Sequence, residues 1–512
     1  MKKIYNAFGL IFLFLAFMAM DVNGQIRYVD VAPGIGTLTD TIKGDTIMEG
    51  EHMGARVDSF NTVYRLQRGD QAYYGLEGSI SNSGYPITIV AADGDGARPF
   101  LQPRVVDSEA SRPFRPKGDI TLRGLHVTNK DNLGGMATRM LRCDDTGIRV
   151  TLDNCWFDQD AQSFIRVDDP DMKFYITNCV ISNIGVPSDP NNGRGIDDRG
   201  NDIDTIVMEN NTFFNITSRL IRDDGGDINY ARLNNNTIVN IAQMGITFGK
   251  IDTLVMTNNI AMNAGFLPKD DDDGWFVFAA DSVDGVAPYV EMTNNTAYLD
   301  TAMINALGFL NDTITITPIM NPTLVAALVA AGNEDDNENW NIEFTDGPPF
   351  NDSLVIYTYD PAYADGNAPD WVVPELPGDG NGLYHLDVYY DFGYAHTEAV
   401  FGATDGLQVG DRNWDATWTT GIRPVLQEGV SLSVYPMPVR NNATISFELK
   451  ADALVQMEVY SLTGQLVSEV INTQYPAGTH EFNWETSSLG TGMYLLRMKA
   501  GNATSTVKMI VQ

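Results

Sequence analysis

The chain is 512 residues long and carries 67 acidic against 33 basic residues, a formal net charge of −34 at pH 7. Such a balance argues against binding nucleic acid, or an anionic membrane surface, through a general basic field. Hydrophobic residues at 43% and aromatics at 10% speak against disorder throughout and leave room for more than one packed domain.

Residues 1–24 begin with Lys2 and Lys3, continue in an apolar run from Ala7 to Met20 and end small and polar at Asn23-Gly24. This is the pattern of a secretory signal peptide. No later stretch approaches the about 20 apolar residues that span a bilayer, so the mature chain is expected to act outside the cytoplasm without a transmembrane segment. From Ile26 to about Pro103, short alternating runs such as Tyr28–Val31 and Ile87–Ala91 with Gly-rich turns predict a cap and first coils.

A repeat then becomes legible. Placing asparagines in register gives Asn154, Asn178, Asn210, Asn235, Asn258 and Asn294, in steps of 24, 32, 25, 23 and 36 residues. The following column reads Cys155, Cys179, Asn211, Asn236, Asn259 and Asn295. A period in the twenties with a strand, a tight bend and a strand in each copy predicts an all-β fold, a parallel β-helix over 25–300. Asn tolerates left-handed backbone at such bends, and amides on successive coils, roughly 4.8 Å apart, can bond along a ladder. Cys155 and Cys179 share a column and are expected to stack reduced.

A second column lies 12 to 14 residues before each Asn. Leu141, Ile165, Ile196, Ile221 and Ile246 are expected to face inward, which sends Arg142, Arg166, Asp197, Arg222 and Thr247 outward. Asp144, Asp168, Arg199 and Asp224 form a parallel row, while Asp198 and Asp223 are expected in bends. One reading is mutual neutralisation of Arg and Asp across coils. The other is a groove for an acidic or neutral polysaccharide, with Arg forks on carboxylates and with Asp198, Asp223 and Asp224 as candidate calcium ligands. Paired carboxylates among Asp197, Asp198, Asp223 and Asp224 would also suffice numerically for glycoside hydrolysis. Trp275, beside the acidic run 270–273, is a candidate sugar platform.

The coil pattern over about 26–300 resembles right-handed β-helix polysaccharide lyases of the chondroitinase-B-like and alginate-lyase-like group. That resemblance implies β-elimination on a uronate polymer, with a basic Lys and Arg on neighbouring coils and Ca²⁺ neutralising the carboxylate. Arg222 matches the arginine position, Asp197 stands where the lysine is expected, and Arg166 is the substitute candidate. Arg142, Arg199 and Trp275 are candidate substrate-binding residues. The rival reading is a noncatalytic adhesin or surface structural protein.

After about residue 300 the repeat fades. Thr323–Ala331 reads as a short helix, and 301–425 as closure of the stack with loops. From Val430 short strands spaced near ten residues apart predict a small β-sandwich. Tyr435-Pro436-Met437-Pro438, Leu462-Thr463-Gly464, Leu489-Gly490-Thr491-Gly492-Met493-Tyr494 and the terminal Val507–Val511 resemble the type IX secretion sorting domain of Bacteroidota, covering 430–512. The resemblance implies the type IX secretion machinery as a partner and a secreted or outer-surface location.

Overall fold

The structure, a computed structural model, describes residues 26–45, 62–69, 72–82, 84–94, 96–186, 192–222, 224–242, 245–265, 276–286, 288–300, 303, 319–348, 390–414, 430–435, 439, 442–449, 452–461, 466–486, 489–490, 492–500 and 503–511. The expected signal peptide, Asp223 and Trp275 with its acidic run lie outside the described residues. The chain divides into two units, Met1–Trp414 and Asp415–Gln512.

In the first unit twenty-five strands join in one parallel network that winds as a β-helix with three faces. Sheet 1 holds the strands that lead into the Asn bends, including Arg149–Asp153, Met172–Thr177, Ile203–Glu209 and Asp227–Asn234. Sheet 2 follows each bend: His126–Thr128, Trp156–Asp160, Val180–Ile184, Thr212–Ile216, Thr237–Ile241 and Ile260–Ala264. Sheet 3 holds Leu141–Cys143, Ser163–Val167, Arg194–Asp197, Arg219–Arg222 and the start of Ile246–Thr257. Alternation buries Val150 and Leu152, Phe174 and Ile176, Ile206 and Met208, and Ala231 and Leu233 in successive coils of sheet 1. Burying a large apolar side chain of this kind contributes about 1.5–3 kcal/mol.

The bends follow from their asparagines. Asn154, Asn178, Asn210, Asn235, Asn258 and Asn294 all adopt φ between 52° and 62°, a region that costs most L-residues energy and Asn least. The next residue points inward. Asn211 Nδ2 donates to Asn236 Oδ1 (2.9 Å), Asn236 to Asn259 (2.9 Å), Asn259 to Asn295 (2.7 Å) and Asn295 to Asn337 (2.8 Å). Cys155 and Cys179 occupy the same column as free, buried thiols. A second left-handed bend sits five residues on, at Gln159, Asn183, Asn215, Asn240 and Asn263. It carries its own amide ladder, Asn263 to Asn240 to Asn215 to Asn183 at 3.0–3.2 Å.

Helix α1 (Thr37–Gly44) buries Leu38 and Ile42 at the N-terminal end. Helix α2 (Pro322–Ala330) covers the other end with Leu324 and Leu328, its first turn capped by the Asn321 side chain. The segment 390–414, expected to close the stack, instead runs along the outer face of sheet 2. There Phe392, Ala399 and Val409 pack with Phe214, Val239 and Ile260. The outer face of sheet 2 is apolar, so it needs this cover.

The second unit has a three-stranded antiparallel sheet (Val430–Tyr435, Asn442–Leu449, Gly478–Glu485) and a four-stranded one (Leu466–Tyr475, Ala453–Ser461, Gly492–Ala500, Ala503–Val511). Ile445 and Phe447 from the first share a core with Val455, Met457, Leu496 and Met498 from the second. This is the expected small β-sandwich.

Candidate functional site

The outer face of sheet 3 gathers the charged residues. Leu141, Ile165, Ile196 and Ile221 stand in register and are buried. Their successors Arg142, Arg166, Asp197 and Arg222 therefore form the outward column that alternation requires.

A further column, two residues before the inward row, was not anticipated from the sequence. It holds Arg139, Ser163, Arg194 and Arg219, and the Phe114–Leu141 bridge places Arg112 and Arg115 one coil earlier. Strict alternation would turn position 194 inward with Ile196. Here the chain rounds a corner, shown by Met140, Phe164 and Leu220 lying in the core beside the inward row and by Arg139 at φ 69°. Gly195 makes the corner possible, because a Cβ on it would sit 2.2 Å from the Leu220 carbonyl oxygen. The recurrence of Arg two residues before Leu141, Ile196 and Ile221, and before Phe114 one coil earlier, was the signal available in the sequence.

Charge pairing on this face is incomplete. Asp197 accepts from Arg194 Nη1 at 3.1 Å and Arg222 Nη1 at 2.9 Å, so it points outward yet its side chain is only 2% exposed. Arg222 Nη2 also donates to Asp224 Oδ1 at 2.8 Å. Asp168 accepts from Arg166 Nε at 2.6 Å and from Arg142 Nε, and Asp144 accepts from Arg115 Nε at 2.8 Å. Around Asp168 four arginines, Arg112, Arg139, Arg142 and Arg166, thus gather on one carboxylate among the described residues. Burial lowers the pKa of Arg112 and Arg139, and neighbouring guanidinium charges lower it further; burial also lowers that of Arg194, against the opposing charge of Asp197. The excess positive charge is partly desolvated, which is costly unless an anion arrives.

Two expected roles do not fit this geometry. Burial disfavours the charge of Arg222, but the hydrogen bond to Asp197 and the charges of Asp197, Asp224 and Asp198 outweigh it and hold its pKa above the ordinary arginine value. A proton-abstracting base must shed its proton, so Arg222 is arranged for the opposite task. Of the candidate calcium ligands, Asp223 lies outside the described residues and the other two are engaged elsewhere. Asp198 is buried, and its carboxylate accepts the backbone N–H groups of Asp224 (2.7 Å), Gly200 (3.2 Å) and Gly226 (3.2 Å). Its oxygens face N–H donors, whereas Ca²⁺ requires them free. Asp224 turns to Arg222, and no group of three or more acidic, His or Cys side chains is disposed for a metal among the described residues. Arg199 is exposed in the turn after its strand, at φ 57°.

The family of secretion system C-terminal sorting domains matches residues 433–512. No curated protein matches the chain significantly. The sorting domain indicates a protein that is secreted or held at the cell surface, with the type IX secretion machinery as its partner. No helix among the described residues is long and apolar enough to cross a membrane.

Proposed function

We propose that this protein recognises an acidic polysaccharide along the outer face of sheet 3, as a binding protein. The observation that carries the reading is the gathering of the half-buried Arg112, Arg139, Arg142 and Arg166 about the one carboxylate of Asp168, on an otherwise strongly acidic chain. Guanidinium forks match planar anionic groups and stay charged at every physiological pH. A rigid β-helix holds them at the coil spacing of about 4.8 Å, so an extended polymer can meet several at once. Location outside the cell places the protein among such polymers.

Cleavage by β-elimination is the less favoured reading, because Arg222 and Arg166 are each tied to a carboxylate and the pKa of Arg222 is held above its ordinary value. The test is retention on immobilised alginate, pectate and chondroitin against neutral dextran, with Arg142→Gln and Arg166→Gln. Retention on the acidic polymers that both variants weaken supports the reading. Equal retention on dextran, or none on any polymer, refutes it.

A further inference from the structure

The four arginines at the N-terminal half of the face are not equivalent to the rest. Arg194 and Arg222 share Asp197, whereas Arg112, Arg139, Arg142 and Arg166 have Asp168 as the acid placed among them. Asp168 takes the Nε donors of Arg142 and Arg166, and the terminal Nη groups of both make no hydrogen bond among the described residues. The Nε atoms of Arg112 and Arg139 are buried with no hydrogen-bond partner among the described residues. Burial lowers the pKa of both, and the charges of Arg142 and Arg166 lower both further, with Arg112 adding to the effect on Arg139.

The shape of the missing anion follows from the donors. A carboxylate offers two coplanar oxygens, and in Asp168 each already takes the Nε of a different arginine. Guanidinium groups spread over three successive coils around one carboxylate are best met by an anion with more than two acceptors. We infer that this quartet is a subsite for a sulfate ester carried on the polysaccharide, its three terminal oxygens bridging Arg112, Arg139 and the Nη groups of Arg142 and Arg166. Asp168 is then the positioning residue, fixing two of the guanidiniums through Nε while leaving their outer donors to the ligand. The inference rests on the polysaccharide-binding reading and specifies the group that is read.

The experiment measures affinity of the full chain for a sulfated galactan without uronate, for alginate and unsulfated chondroitin as carboxylate-only polymers, for a phosphomannan and for neutral dextran. The sulfated galactan is expected to bind at least about tenfold more tightly than the carboxylate polymers. Arg112→Gln and Arg139→Gln should each weaken it about ten- to hundredfold, the loss of one charge-assisted contact. Arg139→Lys should lose nearly as much, because charge without the fork is not enough. Inorganic sulfate should displace the galactan from the unaltered protein, and acetate at equal ionic strength should not. Equal affinity for alginate, equal affinity for phosphomannan, full affinity in Arg139→Lys, or displacement by acetate as well as sulfate would each overturn the sulfate subsite and leave the wider reading standing. Absence of binding to every acidic polymer overturns both.

Discussion

Oδ1 of Asn259 accepts two donors from Asn236, its side-chain Nδ2 and its backbone N–H, each at 2.9 Å. The second Nδ2 hydrogen of Asn236 goes to the Met208 carbonyl at 2.9 Å. Its own Oδ1 accepts the N–H and Nδ2 of Asn211. One buried amide therefore satisfies groups on both neighbouring coils. Asn236→Ala leaves several buried donors and acceptors unpaired, and each costs about 1–3 kcal/mol. The unfolding free energy should fall by about 3 kcal/mol or more, read from denaturant midpoints. Asn234→Ala, at a half-buried position on the outer edge of the same bend, should cost less.

Where the column changes residue type, sulfur takes over as acceptor: the Cys155 N–H lies 3.4 Å from Cys179 Sγ and the Leu125 N–H lies 3.5 Å from Cys155 Sγ. Sulfur is a weak acceptor. Cys179→Asn should extend the amide ladder by one coil and leave stability unchanged or higher. Cys179→Ala, which orphans the Cys155 N–H, should lower the thermal midpoint. A midpoint for Cys179→Asn below that of Cys179→Ala would contradict the ladder account.

Asp197 is held under Arg194 and Arg222. Arg222→Ala removes one of its two partners and leaves a buried carboxylate half compensated. Breaking a buried pair from one side costs about 3–5 kcal/mol, discounted here because Arg222 is one-fifth exposed. The double variant Arg222→Ala/Asp197→Asn should recover part of the loss, and a chemical-denaturation cycle measures the coupling.

Stability should also report a buried acid under the segment 390–414. Asp411 accepts from Thr212 Oγ1 at 2.7 Å and from Asn413 Nδ2 at 2.7 Å, yet burial outweighs these and raises its pKa to about 7 from 3.8. Below the unfolded value both states are protonated and the stabilisation is complete. As pH rises from about 4 to about 7, the unfolded chain ionises first and stability is lost, with no further change from this group above that window. Burial likewise raises Asp160, to about 6, with the same sign. Denaturant midpoints of Asp411→Asn should fall less over this window than those of the unaltered chain.

A net charge of −34 repels an acidic polymer at long range, while attraction is confined to one face. The screening length drops from about 30 Å at 0.01 M salt to about 8 Å at 0.15 M. The association rate with an acidic polysaccharide should therefore rise between these conditions, opposite to a protein steered by a general basic field. Stopped-flow or surface-binding kinetics decides the sign.

Much of this was legible from sequence because a solenoid writes its contacts as a repeat. The asparagine register named the six left-handed bends correctly, since Asn has a local reason to be there and a cross-coil reason to recur. Alternation likewise placed Arg142, Arg166, Asp197 and Arg222 in one column. It did not reveal Arg112, Arg139, Arg194 and Arg219, because at a corner Phe164 and Ile165 both enter the core and the parity of the strand is broken. Alternation put Asp198 in a bend and Asp224 in the outward row, but it could not show that Asp198 turns to three backbone N–H groups while Asp224 turns to Arg222.

The sequence by itself determined the coil, its period and the sorting tail, because these depend on backbone preference and neighbours at a fixed offset. Only the tertiary structure decided that Asp197 is buried between two guanidiniums, that Arg142 and Arg166 share Asp168, and that Asp411 meets Thr212 from 199 residues away. Those outcomes depend on which side chains share a corner or a covered face, and burial, which sets the energy of every charge, has no local signature in the chain.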